Sequence, residues 1–167
     1  EAFARRPMRR RNLVIALWSA EEIGLIGSNM FVNAPPIPLD QITAYFNFDM
    51  VGRMQDNKLA VQATGSSTTW ASLIERANVA AGFNLNLQPD PYQPTDVATF
   101  NQASVPSLNF TTGAHLDYHK PSDTADKINY EDLDRVAAFA TTIAARLMES
   151  EQAPQFVKVE QSSQTAN

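Results

Sequence analysis

Short runs of apolar, β-branched and aromatic residues alternate with segments of helical period along most of this chain, and that alternation restricts the fold more than any other feature. Asn12–Ser19 reads as a buried strand. Glu22–Val32 reads as a helix, stopped by the loop Asn33-Ala-Pro-Pro-Ile-Pro38. Ile42–Asp49 and Lys58–Ala63 read as strands, and Thr64-Gly-Ser-Ser67 supplies turn and capping residues. Thr69–Ala81 has helical period and stops at Gly82. Phe83–Leu87 alternates as a strand, Pro89–Pro94 is a loop, and Thr95–Gln102 is a short helix. Val105–Phe110 is another buried strand, and Asn129–Ser150 is a long amphipathic helix with Glu131 and Asp132 in its first turn. Strands alternating with helices imply an α/β fold, a three-layer sandwich whose mixed, largely parallel sheet is flanked by helices.

The 167 residues suffice for one domain with a sizeable core, and 44% hydrophobic against 19% charged is ordinary for a globular protein. A net charge of −5 argues against nucleic-acid or anionic-membrane partners. No run approaches the roughly 20 apolar residues of a membrane span. There is no cysteine, so a metal would have to use His, Asp and Glu, and the redox compartment stays open. Residues 1–11 lack a signal-peptide pattern. They read as the tail of a helix ending near Pro7 and a basic turn, so that the chain begins within a fold. The expected organisation is a portion of a domain over 1–150 and a polar, disordered tail over 151–167.

Potential ligands collect at strand ends, where open α/β sheets bind their ligands. Glu21 and Glu22 follow the first strand. Consecutive side chains of an extended segment point in opposite directions, so one carboxylate can hold a metal while the other handles a proton. The plain alternative is a pair of acids at a helix N-terminus. Asp49 ends the second strand, and both histidines, His115 and His119, follow the last one together with Asp117 and Tyr118. Together these residues outline a metal site. Asp96 is either a group of this site or a helix N-cap. Asp123 caps or orients the histidine loop, and His115 and Asp117 are reserve ligands. Arg53 is either a substrate contact or a solvated arginine. Trp18 and Phe46 read as core aromatics. Gly24 and Gly27 permit close helix packing, since their spacing is not that of a phosphate-binding loop.

Three segments carry a resemblance. Trp18-Ser-Ala-Glu-Glu-Ile-Gly-Leu-Ile-Gly-Ser28, Asn47-Phe-Asp-Met-Val-Gly52 and Tyr118-His-Lys-Pro-Ser-Asp-Thr124 resemble the glutamate-pair, aspartate and terminal histidine motifs of metallopeptidase family 28. These are zinc aminopeptidases related to aminopeptidase Y and glutaminyl cyclase. The match runs from about Arg9 to Met148. The resemblance implies a peptide substrate, two zinc ions bridged by one carboxylate, and removal of N-terminal residues. It makes Glu21 the general base, Glu22 and His119 ligands of one zinc, Asp49 a ligand of the other, and Tyr118 a hydrogen-bond donor to the oxyanion. It also implies export to the periplasm or the cell exterior.

Two departures qualify the expectation. The family's first histidine ligand and bridging aspartate lie upstream of the glutamate pair, where this sequence has neither. Val97 stands after Asp96 in place of the family's histidine. The expectation is therefore an N-terminally truncated portion of a catalytic domain, weak or inactive alone, that associates with the missing part or with itself. The alternatives are a binding or assembly remnant of the fold, or a different amide or ester hydrolase. No Gly-x-Ser-x-Gly elbow supports a serine hydrolase.

Overall fold

A computed structural model describes residues 10–161. Four strands form one sheet: β1 (Tyr45–Phe48), β2 (Lys58–Gln62), β3 (Asn84–Leu87) and β4 (Ser107–Thr111). Their order is β1-β4-β2-β3, with β1 parallel to β4, β2 parallel to β3, and β2 antiparallel to β4. The helices are α1 (Ile26–Asn33), α2 (Thr69–Ala81), α3 (Asp96–Gln102) and α4 (Tyr130–Glu149). Among the described residues no helix is long and apolar enough to cross a membrane.

Alternation along the strands sorts the helices into two layers. Phe46, Leu59, Val61, Leu108 and Phe110 face α2 and α4, where Phe110 meets Phe139 edge-on and Phe46 meets Trp70. Burying an aromatic or leucine side chain contributes roughly 1.5–3 kcal/mol, so this layer holds the core. The opposite face is polar. There Trp18 Nε1–H donates to Tyr45 OH, which donates to Asn47 Oδ1. Asn47 Nδ2 donates to Asn109 Oδ1, Asn109 Nδ2 to Gln62 Oε1, and Gln62 Nε2 to Gln88 Oε1. The indole N–H can only donate, which sets the direction of the whole relay. Burial raises the Tyr45 hydroxyl pKa well above the ordinary tyrosine value, keeping it protonated as a donor. Tyr45 also stacks on Phe100 of α3, with ring centroids 3.8 Å apart.

The strand expected over 12–19 does not form. Residues 12–18 form no regular secondary structure, and no backbone hydrogen bond ties them to any strand among the described residues. Leu13, Val14, Ile15 and Leu17 are exposed, Leu17 to 94%. A strand exists only by pairing, and β1 meets this segment through the Trp18 side chain rather than through its backbone. Trp18 anchors its end between Phe31 and Phe100. A slot of about 1380 Å³ separates the segment from β1, floored by Val136, Ala140 and Leu147 of α4 and opening at Glu21, Glu22, Asp49 and Asp96.

Composition after Ala153 points to disorder, yet through Gln161 the chain is held. Val157 N–H donates to Ser66 O at 2.8 Å, Val159 O accepts from Tyr92 OH at 2.8 Å, and Pro154 is buried. Two apolar residues of the polar run, Phe156 and Val159, are partly buried there. The expected helix end at Pro7 and residues 162–167 lie outside the described residues.

Candidate active site

Glu21 and Glu22 stand in a turn whose geometry their neighbours dictate. Gly24 has φ +119°, which favours glycine. Gly27 lies against the backbone of Ser19, where a Cβ would come within 2.8 Å of its N and O. This turn folds α1 back against residues 19 and 20, with Gly27 N–H donating to Ser19 O and Ile26 N–H to Ala20 O. Asp49 follows β1, its N–H donating to Phe110 O. His119 sits in the turns after β4 and reaches back across the sheet, its Nε2 2.7 Å from Glu22 Oε1. Tyr118 stacks on the His119 ring.

Three left-handed backbone positions mark the same place: Ala20 before Glu21, Met50 after Asp49, and His119 itself, with φ of 59°, 57° and 56°. Each costs on the order of 1 kcal/mol in a non-glycine residue. The surrounding fold holds all three.

The electrostatics are those of crowded acids. Burial pushes the Glu21 carboxyl up, with Glu22, Asp49 and Asp96 adding like-charge repulsion and His119 partly offsetting it. Asp49 is raised likewise, first by burial and then by Glu22 and Asp96. Asp96 is 6% exposed and its Oδ1 is buried without a hydrogen-bond partner. It is not the N-cap of α3: Thr95 holds that position and accepts from Val97 N–H. Oxygen and imidazole donors that lack compensating positive charge suit a zinc-like cation. No group of three or more His, Asp or Glu side chains is arranged to hold a metal among the described residues.

The structure thus puts Glu22 and His119 in contact, leaves Glu21, Asp49 and Asp96 within electrostatic range of one another, and directs His115, Asp117 and Asp123 elsewhere. Asp117 accepts from Arg53, Lys127 and Ser122. The bond from Lys127, then those from Ser122 and Arg53, hold its carboxyl well below the usual range. The His115 side chain is 6% exposed, with Nε2 3.6 Å from Asp123 Oδ2 and Nδ1 unpartnered. Arg53 is no solvated arginine, since it pairs with both Asp117 and Asp123. Sequence reading had no signal for this pairing, because the partners lie 64 and 70 positions away.

A model of peptidase family M28 matches residues 1–144. The chain belongs to that family. Leucine aminopeptidase 2 of Trichophyton rubrum is 28% identical to the M28 chain over 68% of its length and 29% of that protein. Aminopeptidase YwaD of Bacillus subtilis is 27% identical, over 84% and 33% respectively. The chain therefore spans about a third of these relatives. Among solved structures, a zinc aminopeptidase from Bacillus subtilis superposes with TM-score 0.68 at 27% identity, covering 81% of this chain and 36% of the other. The LapA aminopeptidase of Legionella pneumophila shares the fold, with TM-score 0.69 at 21% identity over 81% and 38%. The α/β sandwich expected from the alternating pattern is the fold of this M28 chain.

Proposed function

We propose that the protein containing these residues is a zinc-dependent aminopeptidase. The observation that carries the reading is the contact of Glu22 with His119 across 97 positions, beside carboxylates raised by burial and then by one another. Glu22 and His119 would hold one zinc ion and Asp49 a second. Zinc bound there supplies Lewis acidity, polarising the scissile carbonyl and acidifying water.

The chain's own residues do the rest. A carboxylate with a raised pKa is a better proton acceptor near neutrality, and Glu21 is so placed. It takes a proton from the attacking water and delivers it to the departing amine nitrogen. Tyr118, 44% exposed, donates its hydroxyl proton as a hydrogen bond to the carbonyl oxygen as negative charge develops. Asp96, buried with its Oδ1 unpartnered, adds a polar group to the lining of the slot. The apolar slot beside β1 supports association with further polypeptide, from the same protein or a second copy. Export from the cell belongs to the same reading.

The test uses the natural full-length protein and amino-acid anilides. Glu21→Gln should lower hydrolysis by about 100-fold or more with zinc content unchanged, and His119→Ala should lose zinc by elemental analysis. Hydrolysis by Glu21→Gln within tenfold of wild type refutes the assignment.

A further inference from the structure

The loop that carries Tyr118 and His119 has little apolar packing of its own: Leu116 is 89% exposed and His119 is held at a left-handed φ. Polar contacts hold it. The Arg53 guanidinium forks across the loop. Its Nη2 donates to Asp117 Oδ2 at 2.6 Å and its Nη1 to Asp123 Oδ1 at 2.9 Å, one carboxylate on each side of Tyr118-His119. The Arg53 and Asp117 side chains are each only 18% exposed, which sets the pair apart from solvated surface pairs of little worth. Lys127 Nζ and Ser122 Oγ complete the shell of Asp117 at 2.8 and 2.7 Å.

The other end of the clamp is fixed to the Asp49 side of the site. Arg53 N–H donates to Thr112 Oγ1, which donates to Met50 O at 2.6 Å. Thr112 N–H donates to the same carbonyl, and Asn129 N–H donates to Gly52 O. Residues 50–53 are thereby tied to the start of the histidine loop and to the entry of α4, four positions or fewer from Asp49.

We propose that Arg53 is a positioning residue of this site: it clamps Asp117 and Asp123 around Tyr118-His119 and fixes their place relative to Asp49. The proposal rests on the zinc reading for its consequence, but not for the clamp. Guanidinium geometry is required, because a lysine ammonium is a point charge that cannot fork between two carboxylates in the same way.

Arg53→Gln and Arg53→Lys test it by amide hydrogen exchange of residues 114–122 and by zinc affinity from chelator competition, both in the full-length protein. The expected result is at least tenfold faster exchange in the loop with β2 and α2 unchanged, at least tenfold weaker zinc binding, and little restoration by lysine. Loop exchange within twofold of wild type in Arg53→Gln overturns the proposal. So does a loosened loop with zinc affinity unchanged, since the clamp would then hold the loop without setting the site. If the wild-type protein binds no zinc, the functional reading fails. Loop exchange then decides the clamp alone: a tenfold rise confined to 114–122 upholds it, and no rise overturns it.

Discussion

Ser66 is a small residue with a large predicted effect. Strand β2 ends at Gln62, so beyond it the edge of β4 has no ladder partner, and the Ser66 side chain takes that place. Its hydroxyl donates to Ser107 O at 2.8 Å and accepts from Ser107 N–H at 3.0 Å and Trp70 Nε1–H at 2.9 Å. A hydroxyl has one donor and two acceptor sites, and all are used. Ser66, Ser107 and Trp70 have no exposed surface. Ser66→Ala orphans all three of its partner groups out of reach of bulk solvent. At about 1 kcal/mol each, the low end for a buried unsatisfied group, the loss is about 3 kcal/mol. With a urea slope of about 2 kcal/mol/M, the midpoint falls by about 1.5 M. Trp70→Phe removes one of the orphaned donors in advance. In that background Ser66→Ala should therefore cost about 1 kcal/mol less, a coupling that a double-mutant cycle reads directly. A loss under about 1 kcal/mol at unchanged slope would refute the reasoning, since groups so orphaned and dry cannot be that cheap.

Two further predictions concern the site and the slot. Glu21 and Asp49 have folded pKa values raised above 4.5 and 3.8, so the folded chain holds their protons more tightly than the unfolded one. Their contribution to stability is present below those values and lost as pH rises through the folded pKa. Glu21→Gln and Asp49→Asn should therefore raise the urea midpoint near neutral pH and flatten its fall with pH, and Asp49→Asn alone should also weaken metal retention. An unchanged pH slope in both variants would contradict the crowding. Ile15→Lys and Leu17→Lys, at positions 81% and 94% exposed, should reduce self-association in sedimentation experiments on residues 1–167. Stability should stay within about 0.5 kcal/mol; association undiminished by either charge would show that the slot edge is not its cause.

Much of the architecture was legible from local pattern. Helix α2 occupies the expected Thr69–Ala81, α4 fills the expected Asn129–Ser150 with those two residues as its caps, and β2 begins at Lys58 as read. The candidate ligands Glu22 and His119, named from strand-end position and motif, meet at 2.7 Å. Segment 12–19 has strand composition but no strand, because hydrogen-bond pairing is supplied by a neighbour and not by the residues themselves. The roles of Asp96 and Thr95 at α3 were likewise undecidable from adjacent residues, either of which has capping chemistry.

The sequence by itself determined the alternation that makes an α/β sheet, the positions of most helices, and which side chains have ligand chemistry. Those follow from periodicity and residue type, which are local. That Arg53 clamps Asp117 and Asp123, that Ser66 finishes a ladder, and that Glu22 meets His119 while His115 turns to Asp123 follow from the tertiary fold alone. All but the last of these join residues dozens of positions apart, and which of them meet is fixed by strand order and register rather than by anything written along the chain.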